Sequence, residues 1–362
     1  MEADYIKIYK GLLPFSWLYG LGVRIRNLLF DIDVLKSHSF GVPVISVGNI
    51  TVGGAGKTPH VEYLVQLLKD RYKVAVLSRG YKRSTKGYVL AKPGIKFTDI
   101  GDEPYQMYLK YGDVNANNGN TIHVAVDAKR AEGIDRLLHD KETKDTQVVI
   151  LDDAFQHRYV KPSINILLVD YHRLITHDKL LPAGRLREPQ SGKKRADIVI
   201  ITKCPDDMHP INFRVITKAM NLYPCQKLFF TQLQYDKMHP LFNAPTALEL
   251  KDITPAHNVM VISGIASPDH LLDDLKRHTH RLTPLIYADH HKFTQRDIDK
   301  INNTFDIMPH PRLIITTEKD AARLCEIDGL SNDVRRNLHV LPIKIVFMQD
   351  QEKEFNSLFI NQ

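Results

Sequence analysis

Residues able to do chemistry are densest in Thr51–Thr58, where Gly53, Gly54, Ala55 and Gly56 lead into Lys57 and Thr58. Glycines in such a turn let backbone N–H groups crowd around phosphate oxygens. Lys57 would then reach the β- and γ-phosphates, and the Thr58 hydroxyl would ligate Mg²⁺. The G-x-x-x-x-G-K-[ST] spacing asks for glycine at position 51; Thr51 stands there, and Gly53 and Gly54 supply the flexibility. Further along, the apolar run Val148–Leu151 ends in Asp152-Asp153, the pattern in which a carboxylate holds the metal shell of a nucleotide site. His157, shortly after, is placed to orient or shuttle a proton, or to sit satisfied in the interior.

Four more stretches carry polar groups of interest. Ser78–Ser84 (SRGYKRS) is dense in cations and hydroxyls, suited to a phosphate or a sugar, or else a solvated basic turn. Gly101-Asp102-Glu103-Pro104 is an acidic turn that by itself reads as a helix start. Leu181–Pro189 (LPAGRLREP) offers Arg185 and Arg187 to phosphate, and Arg130 follows another apolar run. Asp289-His290-His291 reads as a metal or proton-transfer cluster. Adjacent histidines point in different directions, so one of them supporting an acid or base is favoured over a shared metal.

These groups need a frame, and the apolar pattern supplies one. Pro43–Val47 reads as a buried strand, and Val61, Leu64, Val65 and Leu68 give the following segment one helical apolar side. Pro59 falls in the first turn, where its missing N–H costs nothing. Lys73–Leu77, Thr121–Val126, Val148–Leu151, Ile164–Val169 and Asp197–Ile201 are continuous aliphatic runs between helical stretches, as expected of a parallel sheet covered on both faces. In such sheets ligands sit at the carboxyl ends of the strands. Leu228–Leu233 reads as a linking strand. A second, smaller α/β unit follows with strands at Asn258–Ile262, Leu285–Tyr287, Leu313–Thr316 and His339–Val346, without a phosphate loop of its own.

The 362 residues suffice for two cores, and the net charge of +7 points to anionic partners, whether nucleotide, phospholipid surface or nucleic acid. The lysines and arginines are scattered rather than interleaved with aromatics, which speaks against nucleic acid. Cys204, Cys225 and Cys325 lie far apart, without metal-ligand spacing, as in a reducing compartment. Between Lys10 and Arg24 lies an uncharged stretch holding Trp17, too short to span a bilayer and without a cleavage site. Leu18, Leu21, Ile25 and Leu28 share a helical face there. Flanked by Lys7, Lys10, Arg24 and Arg26, that face fits either an in-plane membrane anchor or a helix packed on its own domain.

Together the blocks GNITVGGAGKTP, SRGYKRSTKG, GDEP, DAKRAEG, DDAFQH, LLPAGRLREP, ADHHKF and TEKDAARL, spread from residue 42 to residue 325, resemble the tetraacyldisaccharide 4'-kinase family. The resemblance implies an α/β protein with a P-loop NTPase-like parallel-sheet lobe, a second smaller α/β lobe closing over the cleft, and an N-terminal amphipathic helical segment. It implies an inner-membrane-associated kinase on the cytoplasmic face, using ATP and Mg²⁺ to phosphorylate the 4'-hydroxyl of a tetraacylated disaccharide 1-phosphate. Asp102 would be the general base with His290 as partner, and Lys57 would serve the phosphates. Asp152 and Asp153 would take the metal shell with Thr58, and Glu188 would lie close to it. Gln156, Tyr81, Ser84, Arg130 and Arg187 would line the nucleotide and phosphate region. The family's usual DDG[FL]QH appears as DDAFQH, with Ala154 in place of a glycine.

The expected organisation is a membrane-contacting segment over 1–40, the kinase lobe over 41–225, a linker over 226–245 and the second lobe over 246–362. No nucleic acid and no obligate protein partner is expected. The competing readings are a P-loop ATPase or GTPase acting as a switch or metallochaperone, and a nucleotide-gated binding module. The acid/histidine cluster in the second unit speaks against a bare hydrolase.

Overall fold

The computed structural model describes residues 8–112, 122–242, 248–265, 267–289 and 291–360. In chain order its strands are β1 (Val44–Gly48), β2 (Val74–Ser78), β3 (Val89–Leu90), β4 (His123–Val126), β5 (Val148–Asp152), β6 (Ile164–Asp170) and β7 (Ile198–Thr202). They continue with β8 (Lys227–Tyr235), β9 (His239–Pro240), β10 (Asn258–Ser263), β11 (Leu282–Ile286), β12 (Arg312–Thr317), β13 (Leu338–Leu341) and β14 (Ile343–Phe347). The helices are α1 (Leu13–Asp31), α2 (Lys57–Leu68), α3 (Phe97–Ile100), α4 (Asp102–Tyr111), α5 (Arg130–His139) and α6 (Pro210–Met220). After them come α7 (Asp269–Lys276), α8 (Gln295–Asp306), α9 (Glu318–Leu324), α10 (Asn332–Asn337) and α11 (Glu352–Ile360).

The nine-stranded sheet runs β14-β8-β7-β6-β1-β5-β2-β4-β3, parallel except for the two edge strands. Its central strands are buried on both faces, which is why they read as unbroken Val/Ile/Leu runs. β1 pairs with β5 on one side and β6 on the other. The chain therefore leaves β1 at the point where strand order reverses, and the crevice there opens at the strands' carboxyl ends. Helix α2 packs Val61, Leu64, Val65 and Leu68 against Ile45, Val47 and Ile150 on one face. Ile134 and Leu137 of α5 cover Val44, Ala75 and Leu77 on the other. Each aliphatic side chain so buried contributes roughly 1.5–3 kcal/mol.

A five-stranded sheet, β11-β10-β12-β13-β9, forms the smaller unit, with β9 antiparallel and the other pairs parallel. Here the structure departs from the expected boundaries. The single strand expected over His339–Val346 is two strands in different sheets. Pro342, which has no N–H to donate, separates them, and its carbonyl accepts from Asp236 N at 2.9 Å. β14 then pairs antiparallel with β8, so residues 343–347 belong to the large sheet, not to a second lobe running to 362. Helix α11 follows it there, placing Phe355 beside Phe229 and Phe347 with ring centroids 5.2 and 4.6 Å away. Likewise β8, inside the range expected as a linker, is a nine-residue strand of that sheet. Hydrophobic pattern alone does not say which sheet a strand joins.

Pro14 opens α1, at a position where a helix tolerates it. One side of the helix meets the protein: Ser16 Oγ donates to Leu180 O at 2.9 Å and accepts from Ala183 N at 2.9 Å. Gly20 sits so close to Leu180 that a Cβ there would lie 2.7 Å from Cδ1. Leu18, Leu21, Ile25 and Leu28 are all at least half exposed, and Trp17 is 72 % exposed. The helix is thus packed on its own domain through one face, while the row Leu18, Leu21, Ile25 and Leu28 is left exposed on another.

Candidate active site

The turn after β1 needs its glycines. Gly53 and Gly56 have φ of 117° and 75°, a region where a Cβ is strained. From behind, the turn is pinned through its carbonyls. Thr202 Oγ1 donates to Ala55 O at 3.1 Å, and Lys203, at the end of β7, donates to Gly54 O and pairs with Asp170 at 2.9 Å. His60, fully buried, sets one ring nitrogen 2.7 Å from Gly56 O and the other 3.0 Å from Thr231 Oγ1. Burial holds its pKa down at about 4, so it is a neutral tether. With the carbonyls held back, the N–H groups at the start of α2 are left to face a phosphate. Thr58 lies in that first turn, and Ala55 is buried beneath it.

Lys57 Nζ lies 3.6 Å from Asp153 Oδ1, which joins the glycine turn to the end of β5. Asp153 has φ 47°, so the chain turns sharply there. Burial alone would raise its pKa, but Lys57 and Arg187 outweigh that and lower it. Arg187 Nη2 reaches Asp153 Oδ1 at 3.1 Å and Asn49 O at 3.3 Å, and it also bonds Asn49 Oδ1. Gln156 Nε2 donates to the same Asn49 carbonyl at 2.5 Å. Lys57, Asp153, Arg187 and Gln156 therefore form one connected set around Asn49. Asn49 itself is a fully buried residue that its place beside the motif did not single out.

Asp152 is the unusual acid. Burial first, then Glu103 and Asp153, push its pKa up to about 7 against the pull of Lys57 and Arg130. Ser78 Oγ reaches Oδ2 at 3.4 Å, while the buried Oδ1 has no hydrogen-bond partner. An orphaned buried carboxylate oxygen costs free energy unless a ligand meets it, and a hard cation is the chemistry it suits. Among the described residues no group of three or more acidic, His or Cys side chains gathers as a protein-only metal cage. A Mg²⁺ held by one carboxylate, a hydroxyl, waters and substrate phosphates needs no such cage, so Asp152 and Thr58 fit.

Glu188 is nearly fully buried and pairs with Arg195 at 2.6 Å, while its other oxygen is unpartnered. The guanidinium of Arg195 in turn covers the Phe155 ring at 4.8 Å. Arg130 is buried at the start of α5, its pKa lowered to about 10 by burial despite Asp152 and Asp153, and its Nε is unpartnered. Tyr81 is exposed, with Lys82 over its ring at 5.6 Å. Ser84 spends its hydroxyl on Thr98 O at 2.9 Å, fastening the basic loop to α3.

Gly101, with φ 93°, lies so near Tyr81 O that a Cβ would come within 2.9 Å. That contact brings the basic loop against the turn from which Asp102 starts α4. Asp102 is bonded by Arg323 of α9, from the smaller unit. The partner expected for Asp102, His290, lies outside the described residues. Its neighbour His291 stacks on Tyr287 at 4.7 Å and meets Asp297 at 2.9 Å, a structural role at the start of α8. Glu103 and Arg323 are contributions that sequence reading missed. Glu103 was hidden as a first-turn acid, and Arg323 as a helix-interior cation.

Comparison with known proteins bears directly on this arrangement. Residues 8–361 match the family model described as Tetraacyldisaccharide-1-P 4'-kinase. The chain is 53 % identical over 358 residues to the tetraacyldisaccharide 4'-kinase of Phocaeicola vulgatus, covering 99 % of this chain and 96 % of that one. It is 49 % identical to the enzyme of Bacteroides thetaiotaomicron, with 99 % and 94 % covered, and 42 % identical to that of Flavobacterium psychrophilum, with 97 % and 96 % covered. The crystal structure of LpxK from Aquifex aeolicus in complex with ATP superposes with a TM-score of 0.73 at 29 % identity, covering 97 % of this chain and 98 % of that one.

Proposed function

The chain belongs to the tetraacyldisaccharide-1-P 4'-kinase family, and from that membership we propose how its residues carry out the reaction. It is an ATP-dependent lipid kinase that moves the γ-phosphoryl group of ATP to the 4'-hydroxyl of a tetraacyldisaccharide 1-phosphate in lipid A biosynthesis. The 4'-oxygen attacks the γ-phosphorus, the bond from that phosphorus to the β–γ bridging oxygen breaks, and ADP leaves. Asp102 takes the hydroxyl proton as the new P–O bond forms. Lys57, Arg187 and Arg130 hold the spreading negative charge, and the N–H groups of Gly53–Thr58 cradle the phosphates. Asp152 and Thr58 would hold Mg²⁺, with Glu188 nearby, and the ion would supply neutralisation of phosphate charge. Asp153 keeps Lys57 and Arg187 in place, Gln156 fixes the Asn49 carbonyl, and Tyr81 and Ser84 belong to the loop beside the nucleotide. His290, which the resemblance pairs with Asp102, lies outside the described residues.

The observation that carries this reading is the Lys57–Asp153 contact at the glycine turn beside the unpartnered oxygen of Asp152. A switch ATPase shares that much, but the acceptor chemistry requires a base outside the nucleotide loop. The test is transfer of labelled phosphate from ATP to tetraacyldisaccharide 1-phosphate in detergent micelles, wild type beside Asp102→Asn. Label on the lipid that falls about a thousandfold in the variant supports the base, within the usual range of general-base effects. Inorganic phosphate released with the lipid unlabelled would return the switch reading.

We place the protein peripherally on the cytoplasmic face of the inner membrane, through α1. No helix among the described residues is long and apolar enough to cross a bilayer. The row Leu18, Leu21, Ile25 and Leu28 with Trp17 suits an in-plane contact, and the substrate is a lipid. No nucleic-acid partner and no obligate protein partner enters the scheme.

A further inference from the structure

Of the blocks that stand out in the sequence, TEKDAARL has no part in the chemistry above, yet the described contacts concentrate on it. It forms α9 together with the residue that caps it: Thr317 Oγ1 accepts from Asp320 N at 3.2 Å. Glu318 meets Lys110 of α4 at 2.6 Å. Lys319 meets Asp289, the residue before His290, at 2.9 Å. Asp320, with no exposed surface, accepts from Gly264 N at 2.9 Å and from Thr317 Oγ1 at 2.7 Å. Arg323, 1 % exposed, binds Asp320 at 3.1 Å through one nitrogen and Asp102 through the other. Gly264 is closely packed, since a Cβ there would lie 3.1 Å from Asp320 Oδ1 and 3.2 Å from Ala288 O, and these neighbours would have to give by a few tenths of an ångström.

We infer that Arg323 is a positioning residue for the phosphoryl transfer: with Asp320 behind it, it fixes the Asp102 carboxylate against the smaller unit. The inference rests on the reading of Asp102 as the base. A planar guanidinium holding two carboxylates at once fixes both distance and direction, which an ammonium cannot do. It is also buried, so its geometry is not loosened by water. The other contacts of α9 act in the same sense. Lys319 ties the Asp289 turn, and Glu318 ties the body of α4, to one short rigid element. Asp102 and the Asp289 turn are thereby tied to the same helix, although they belong to different sheets' units. A carboxylate displaced by an ångström from its proton costs about a hundredfold in rate.

The test is steady-state lipid phosphorylation by full-length Arg323→Met, Arg323→Lys, Asp102→Asn and the Arg323→Met/Asp102→Asn double variant, each with a melting curve and an ATP-binding isotherm. Arg323→Met should lower kcat about a hundredfold with KM for ATP within about twofold, and Arg323→Lys should recover part of the loss. The double variant should be no slower than Asp102→Asn, because Arg323 acts through Asp102. If Arg323→Met does not fold, the lysine variant carries the same comparison, with a kcat loss at unchanged KM expected. Folded variants with wild-type kcat, losses that multiply in the double variant, or kcat and ATP affinity falling together would each overturn the role of Arg323 while leaving Asp102 in place. Full turnover by Asp102→Asn would overturn the base and the inference with it.

Discussion

The two ends of the reaction are built by opposite means. The phosphate end is local: Asn49–Thr58 is one continuous turn and helix start, braced by two neighbouring strand ends, and its charges pair within the large sheet's own loops. The proposed acceptor end is composite, with Asp102 opening a helix of the large unit and held by Arg323 from the smaller one. A contiguous turn can be conserved in shape by a few glycines. A composite site exists only while two cores keep their mutual position. The phosphate end should therefore respond to substitution with lost chemistry, and the joint with lost alignment or altered stability.

Lys57→Ala sharpens that contrast most. It removes transition-state charge at the local end, and turnover should fall about a thousandfold while the melting temperature stays near wild type. A loss of only a few fold would mean that Arg130 or Arg187 carries the charge instead. A Leu18→Asp/Ile25→Asp double variant should reduce recovery on anionic vesicles about tenfold or more, with micellar kcat little changed. Equal vesicle binding would assign α1 to packing alone. Arg187→Ala unties Asp153 from Asn49 and should raise KM for ATP about tenfold, read by a binding isotherm in the presence of Mg²⁺. An unchanged isotherm would show that the Lys57–Asp153 contact suffices.

The smallest effect lies at the joint. Glu62 and Glu318 share Lys110, and burial first, then Glu318, hold the Glu62 pKa up at about 7 against the lysine. The folded protein keeps a proton there that the unfolded chain gives up near 4.5. Whatever this group adds to stability is thus complete below pH 4.5 and is lost as pH rises through 7. Glu62→Gln should flatten the decline across that window, as seen in denaturant titrations at several pH values. An undiminished slope would show that Glu62 is ionised throughout.

Wherever the physics was local, it could be read in advance. β1, the glycine turn and α2 follow from apolar period, φ > 0 glycines and a proline in the first turn, and the structure reproduces them within a residue. Asp152-Asp153 announced itself as an acid pair ending an aliphatic strand. The orphaned oxygen that makes Asp152 distinctive did not, because burial from every side is set by neighbours remote in the chain. Ser84 illustrates the same limit, since nothing near it signals that Thr98 takes its hydroxyl.

By itself, then, the sequence determined the α/β class, the phosphate turn and the amphipathic first helix, since period, glycine and proline act over a few residues. Only the tertiary structure decided that residues 343–360 return to the large sheet, that Arg187 and Gln156 converge on Asn49, and that Arg323 crosses to Asp102. Those outcomes depend on which surfaces of two cores meet, and that is settled by packing and charge pairing across long chain separations.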